Sequence, residues 1–157
     1  MKKALLLSFV VMFGLLFLHP AMARSDEARV ALIIGNSSYK AAPLTNPAND
    51  AADLAHALER KGFTVLVREN VSERGLKEAV DAFSKHLRKG GVGLFFFAGH
   101  GVQVPDWNGD ESRRGRYDQA YAPIDFDTFG VVVDDEIDLL VRAHLRPGTW
   151  LTTITDC

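Results

Sequence analysis

The sequence predicts an α/β protein built around a mostly parallel β-sheet. Short apolar runs of strand length alternate with segments in which apolar residues recur at helical spacing. The order strand, helix, strand, helix, strand is the pattern in which crossover helices join parallel strands. The chain has 157 residues, a length that suits one small domain.

The first elements follow from the N-terminal half of this pattern. An apolar, β-branched run at Arg29–Ile34 predicts a buried strand. Asn46 and Pro47 predict the start of a helix, with proline at its first position and asparagine as its cap. Gly62 predicts the end of that helix, and the run Phe63–Val67 predicts a second strand.

The middle of the chain repeats the pattern. Ser72 predicts the cap of a second helix, which Gly90 is expected to end. The run Val92–Phe97 predicts a third buried strand. The stretch Pro105–Gly130, dense in Asp, Gly and Arg, predicts a long irregular segment, and segments of that kind are usually functional or disordered.

The last two predicted elements are a short helix and a strand. Asp134 or Asp135 is expected to cap the helix, and Trp150–Thr155 predicts the fourth strand. The residues expected to face inward from this helix are Ile137, Leu140 and Val141.

The N-terminus reads as a secretory signal peptide over residues 1–23. Lys2 and Lys3 precede an apolar stretch at 4–18 that is short for a membrane span. Residues 21–23 have the small-x-small pattern of a cleavage site, so the mature chain is expected to begin at Arg24. The chain is therefore expected to be secreted or periplasmic, without stable membrane association after cleavage; an uncleaved anchor is the alternative.

Charge and cysteine content exclude some classes of function. Removing Lys2 and Lys3 from the 18 basic residues leaves 16 against 20 acidic ones, a net charge of −4. Apart from a short cluster at Arg113–Arg116 the basic residues are scattered, so no nucleic-acid partner is expected. The single cysteine, Cys157, excludes an internal disulfide.

Two predicted strands end in residues that can carry covalent catalysis. His100 stands between Gly99 and Gly101 just after the third strand, and Cys157 follows the fourth. Open α/β sheets bind ligands at the carboxyl edge of their strands, so a thiol nucleophile with an imidazole base is one interpretation. The alternatives are a histidine in a turn and a cysteine that acts as a small buried hydrophobe.

Several motifs in series resemble the caspase-like cysteine peptidases, and within them the type I metacaspases, from about residue 29 to residue 157. The resemblance implies a caspase-like three-layer sandwich with a mostly parallel sheet. It also implies a peptidase domain at 29–157 that contains only the N-terminal catalytic part of the fold. The matching segments are Ala31–Asn36, Leu44–Ala51, Phe95–Gly101, Gly109–Glu111, Tyr121–Asp125, Asp134–Ile137 and Leu151–Cys157.

The resemblance implies that His100 is the catalytic histidine and that a cysteine just after the fourth strand is the nucleophile. The family motif reads Asp, any residue, catalytic Cys, His, Ser, Gly, whereas here Cys157 follows Asp156 directly. Either Cys157 is the variable middle residue and residue 158 is the nucleophile, or the spacing slips by one and Cys157 is itself the nucleophile. The first alignment is favoured because Leu151–Ile154 then matches without a gap.

Substrate and metal preferences are also implied by the resemblance. Similar enzymes cleave peptides and proteins after Arg or Lys, and the motif match assigns Asp50 and Asp156 to the pocket for the basic side chain. Asp118, Asp134 and Asp135 match positions of an activating Ca²⁺ site, and no organic cofactor is expected. The alternatives are a first-turn helix carboxylate at Asp50 and a helix cap at Asp134.

The sequence therefore predicts a cysteine-type endopeptidase of the caspase and metacaspase type. The alternative is a non-catalytic caspase-like interaction or decoy module that lacks the nucleophile. A third and poorer interpretation takes Ile34–Asn36 as part of a nucleotide-binding turn, but no Gly-x-Gly-x-x-Gly pattern or phosphate loop follows the first strand.

Overall fold

The computed structural model describes residues 28–106, 108–109 and 117–157. The predicted leader, the basic cluster at 113–116 and part of the motif at 109–111 lie outside these residues. Within the described ranges no helix is long and apolar enough to cross a membrane. The helices are α1 (Pro47–Glu59), α2 (Glu73–His86), α3 (Phe126–Phe129) and α4 (Asp134–Arg142). The strands are β1 (Arg29–Gly35), β2 (Thr64–Glu69), β3 (Val92–Ala98), β4 (Gly101–Pro105), β5 (Tyr117–Tyr121), β6 (Val132–Val133) and β7 (Trp150–Asp156).

The main sheet has four parallel strands in the order β2-β1-β3-β7. Its strands end level with one another, because Gly35 pairs with Glu69 and Ala98, and Ala98 pairs with Asp156. The predicted α/β class with a parallel sheet is confirmed, and each predicted strand lies within two residues of its observed bounds.

Helices cover both faces of this sheet and make a three-layer structure. α1 packs its Ala51 and Ala55 on one face, against a cluster that includes Ile33 and Phe96. α2 and α4 cover the other face, where Phe83 of α2 is fully buried in the larger cluster. Burying one such aromatic or aliphatic side chain contributes roughly 1.5–3 kcal/mol, so the two apolar layers fix the sheet on which the site is built.

A second sheet contradicts the prediction of an irregular segment at Pro105–Gly130. β4, β5 and β6 form an antiparallel sheet, and α3 follows β5. The sequence pattern does not predict β5, because a carboxylate, Asp118, occupies one of the buried positions of this strand, near Ala120. An inward carboxylate breaks the apolar alternation by which a half-buried strand is recognised.

Helix ends agree only in part with the predictions. Ser72 caps α2, since its hydroxyl accepts a hydrogen bond from the amide of Gly75 at 3.1 Å. Asn46 makes no side-chain capping bond, although Pro47 begins α1 as expected. Neither Asp134 nor Asp135 is a cap, because α4 starts at Asp134; both carboxylates instead lie in the first turn, where the helix dipole favours negative charge.

Candidate functional site

His100 lies at the corner where the chain leaves the main sheet and enters the second one. β3 ends at Ala98 and β4 begins at Gly101, so only two residues form this corner. The amide of Gly99 donates to the carbonyl of Asp156 in β7 at 3.1 Å. The carbonyl of His100 accepts from the amide of Ala122, just after β5, at 3.0 Å. Both sheets therefore hold the backbone of His100 at the carboxyl edge of the parallel strands.

A backbone carbonyl from a distant loop holds the imidazole of His100. Nε2 lies 2.7 Å from the carbonyl oxygen of Ala42, and Ala42 has a left-handed φ of 54°. A carbonyl can only accept a hydrogen bond, so Nε2 carries the proton and donates it. In the neutral ring Nδ1 is then the basic nitrogen. Sequence reasoning missed this contact, which joins residues 58 apart along the chain.

Gly99 and Gly101 provide space beside His100. Glycine on both sides of a residue permits a sharp turn, but neither Gly99 nor Gly101 has a positive φ. A Cβ on Gly99 would lie 2.6 Å from the hydroxyl oxygen of Tyr39, and one on Gly101 would lie 2.6 Å from Sγ of Cys157. Close packing is therefore the physical reason for both glycines.

Cys157 lies next to the histidine corner, with its sulfur against Gly101. Like Thr155 two positions earlier, it lines a cavity on the face of the sheet that α4 covers. Although the residue as a whole is exposed, local burial of the thiol, and secondarily the carboxylate of Asp156, raise the pKa of Cys157 above its ordinary value. Activated cysteine nucleophiles have lowered pKa values, so this environment does not activate Cys157.

The cavity beside Cys157 has a volume of about 670 Å³. Its apolar wall comes from the sheet and α4, and includes Phe95, Leu151 and Ile137. Carboxylates of α4, among them Asp134 and Asp135, also line it. The cavity therefore combines an apolar wall with negative charge.

The two carboxylates predicted for a basic pocket lie at the carboxyl edge of the main sheet. Asp50 is in the first turn of α1, which packs directly on β1: a Cβ on Gly35 would lie 2.5 Å from the carbonyl oxygen of Pro47. Asp156 pairs with Ala98, whose side chain belongs to the cluster under α1. Register partners of parallel strands point to the same face, so Asp156 faces the layer that contains Asp50. Both carboxylates are exposed.

The three carboxylates predicted for a calcium site are spread over β5 and α4. Asp118 is 6% exposed in β5, whereas Asp135 is exposed and accepts a hydrogen bond from Nδ2 of Asn108 at 2.6 Å. Within the described ranges no three His, Cys, Asp or Glu side chains come together as a group that could hold a metal ion. The described residues by themselves therefore do not fit a calcium ligand set.

Three further polar residues organise the site without having been predicted to do so. Asn36, fully buried at the end of β1, accepts from the amide of Val71 at 2.9 Å. The carboxylate of Asp125 accepts from the amide of Glu73 at 2.8 Å, at the N-terminus of α2. Tyr39 contacts His100 directly. The motif matches contain Asn36 and Asp125 but do not indicate their partners, and no pattern singles out Tyr39.

Comparisons with known proteins agree with this geometry. A family model described as the caspase domain matches residues 28–157. Metacaspase-2 of Trypanosoma brucei brucei is 32% identical over 141 residues, which cover 81% of this chain and 40% of that relative. Metacaspase-1A of Aspergillus terreus is 45% identical over 63 residues, which cover 40% of this chain and 15% of that relative.

A solved structure shows the same fold. The crystal structure of a protein from Geobacter sulfurreducens superimposes with a TM-score of 0.68 at 25% sequence identity, over 82% of this chain and 50% of that one. The chain thus spans half or less of the length of the relatives it matches. The family model matches every described residue, and the fold and the position of His100 agree with it. The chain therefore belongs to the caspase-domain family of cysteine peptidases and is similar to the metacaspases.

Proposed function

We propose that this chain carries the catalytic histidine of a cysteine endopeptidase that cleaves peptide bonds after arginine or lysine. The observation that carries the proposal is the arrangement of His100. Its backbone is fixed at the carboxyl edge, its Nε2 donates to the carbonyl of Ala42, and its Nδ1 is left as the basic nitrogen. A base held in one tautomer at a sheet edge is what thiol catalysis requires.

The reaction proposed for this site is hydrolysis through an acyl-enzyme. The imidazole of His100 takes the proton of a cysteine thiol, and the thiolate attacks the carbonyl carbon of the scissile bond. Backbone amides near Gly101 and the cysteine stabilise the oxyanion. The imidazolium then protonates the leaving amine as the C–N bond breaks. Water, deprotonated by the same imidazole, hydrolyses the thioester, which releases the carboxylic acid and restores the thiol.

Strand alternation supports residue 158, the residue that would follow Cys157, as the nucleophile. Thr155 and Cys157 line the cavity on the α4 face, and Asp156 faces the α1 layer. Successive residues of a strand alternate between faces, so residue 158 would return to the α1 layer if the extended backbone of β7 continued past Asp156. The loop of Ala42, which binds the imidazole of His100, connects β1 to α1. The raised pKa of Cys157 agrees with this alignment.

Labelling with an active-site probe tests the nucleophile. A peptidyl acyloxymethyl ketone with Arg at P1 should leave the 157-residue chain unlabelled, because Cys157 lies on the opposite face and its thiol is not activated. In the chain extended through Cys-His-Ser-Gly, the probe should label residue 158, and Cys157→Ser should keep most of the labelling. Mass spectrometry of the labelled peptide identifies the modified residue. Rapid, His100-dependent labelling of Cys157 would make Cys157 the nucleophile.

A preference for basic P1 residues is supported by Asp50 and Asp156. Both carboxylates lie at the carboxyl edge of the main sheet, on the side of the α1 layer, where residue 158 would also lie. A guanidinium that leaves water for a peptidase pocket needs hydrogen-bonded counter-charges. Peptide and protein substrates follow from the family, and the basic P1 preference is our proposal.

Calcium activation stays a prediction from the resemblance. If Asp118, Asp134 and Asp135 bind Ca²⁺ together with donors from outside the described residues, millimolar Ca²⁺ should protect the segment Pro105–Gly130 from trypsin. Gel analysis of timed digests, with and without chelator, measures this protection. Asp135→Asn should weaken it, and Asp53→Asn, on exposed α1 surface, should not. Identical digestion in Ca²⁺ and chelator would remove calcium from the proposal.

The environment of Cys157 is equally compatible with a second candidate, a non-catalytic caspase-like interaction or decoy module. Its thiol has a raised pKa and faces the cavity and not the α1 layer. The coding sequence downstream of residue 157 separates the two proposals. An in-frame Cys-His-Ser-Gly supports the peptidase, and a stop codon supports the decoy. For either, the signal peptide predicted at residues 1–23 leads us to propose a secreted or periplasmic location.

A further inference from the structure

Tyr39, in the loop after β1, makes two hydrogen bonds through its hydroxyl at the histidine corner. The hydroxyl accepts from the backbone amide of His100 at 3.0 Å and donates to the carbonyl of Ala122 at 2.8 Å. Ala122 itself donates to the carbonyl of His100. The hydroxyl thus closes a ring of hydrogen bonds around the backbone of the predicted catalytic residue.

The ring of Tyr39 also contacts the imidazole of His100. Their centroids are 4.5 Å apart, with an interplanar angle of 51°. Phe126 packs against Tyr39 at 6.1 Å in an edge-on arrangement. Tyr39 is 3% exposed, so it forms a fixed wall for the imidazole, while the carbonyl of Ala42 holds Nε2.

The surrounding residues are fitted to the hydroxyl. Gly99 leaves the space it occupies, since a Cβ there would lie 2.6 Å from the hydroxyl oxygen. Asn36 donates to the same carbonyl of Ala122 at 3.4 Å. Burial raises the pKa of Tyr39, so the hydroxyl stays protonated and remains a donor throughout the neutral range.

We infer that Tyr39 is a positioning residue for His100: its hydroxyl fixes the backbone of the histidine and its ring limits the orientation of the imidazole. The catalytic consequence rests on the proposed peptidase function, whereas the contact itself does not. A tyrosine that served only the core would contribute to stability without affecting the chemical step. Positioning predicts a loss in kcat, because a small misplacement of a catalytic group slows the reaction steeply.

The contact can be tested on the 157-residue chain. Tyr39→Phe keeps the ring and removes the hydroxyl, so the amide of His100 should exchange its hydrogen about tenfold faster. The imidazole ¹⁵N shifts of His100 should also change, since the corner loosens. Tyr117→Phe is the matched control, because Tyr117 is 55% exposed on β5, and it should alter neither signal. Unchanged exchange and unchanged ¹⁵N shifts in Tyr39→Phe would overturn the inference.

The catalytic consequence is measured on the chain extended through Cys-His-Ser-Gly. With an Arg reporter peptide, kcat of Tyr39→Phe should fall roughly tenfold to a hundredfold, while KM stays within about twofold. A normal kcat together with faster exchange of the His100 amide would also overturn positioning. If the wild-type extended chain cleaves no basic substrate, the proposed function fails, and the exchange result still decides whether Tyr39 holds His100.

Gly99→Ala tests the same contact by filling the space that the Tyr39 hydroxyl needs. Its Cβ would push the hydroxyl away while the tyrosine remains, so it should reproduce the faster exchange and the lower kcat. Denaturant unfolding of each variant identifies any that does not fold. A folded Gly99→Ala chain with normal exchange and normal kcat would count against the inference even if Tyr39→Phe were too unstable to measure.

Discussion

His100→Ala is expected to reduce cleavage of an Arg reporter peptide by roughly 10⁴-fold or more, the scale on which catalytic bases act in hydrolases. In the proposed mechanism, the substitution removes the group that accepts the thiol proton and returns it to the leaving amine. The measurement is kcat/KM on the chain extended through Cys-His-Ser-Gly, with folding followed by circular dichroism. The backbone bonds of His100 remain available to alanine, so the fold should persist.

His56→Ala is the matched control for this loss. His56 lies on α1 with its side chain 72% exposed, and Nδ1 lies 3.5 Å from the carboxylate of the neighbouring Glu59. Its removal should leave kcat/KM unchanged within error. Near-wild-type turnover of His100→Ala would remove the imidazole from the proposed mechanism.

Asp50→Asn is expected to raise KM for Arg and Lys substrates roughly thirtyfold or more, with a much smaller effect on a substrate with an apolar P1 residue. A cation that is covered on binding loses its counter-charge, and truncation of one partner of such a pair costs about 2–5 kcal/mol. The amide keeps the shape of the side chain, so the charge is the variable. Initial rates with matched Arg, Lys and Leu reporter peptides measure the difference.

Asp53→Asn provides the comparison for Asp50. It lies one turn further along α1 and is also exposed, but it is further from the carboxyl edge of the sheet. It should leave the ratio of Arg to Leu cleavage as it is. Equal losses on all three peptides in Asp50→Asn would instead assign this carboxylate to the stability of the first turn of α1.

The main sheet could be predicted because strands that are buried on both faces have nearly continuous apolar sequences. β1 and β3 are of this kind, and the helix between Pro47 and Glu59 has an apolar stripe of the right period. The neighbourhood of His100 and Cys157 could also be anticipated. Both follow strands that end at one edge, and the structure makes those strands neighbours.

The second sheet and the support of His100 could not be predicted in this way. β5 buries Asp118 where the pattern requires an apolar residue, and β6 has only two residues. The contacts of Ala42 and Tyr39 with His100 join residues about 60 apart along the chain. Neither residue stands in a periodic pattern, so only the three-dimensional packing reveals them. The close packing that requires glycine at positions 99 and 101 is likewise visible only in the tertiary structure.

Only Gly99 and His100 connect β3 to β4, so the two strands fix the position of His100 from both sides. One extra residue within β3 would turn the side chains that follow it to the opposite face of the sheet, and His100, the proposed base, would leave its position. The connection from β4 to β5 is different, because five pairs from Gly101 with Tyr121 to Pro105 with Tyr117 set the register of those strands. The chain length between β4 and β5 can therefore change while His100 stays where it is.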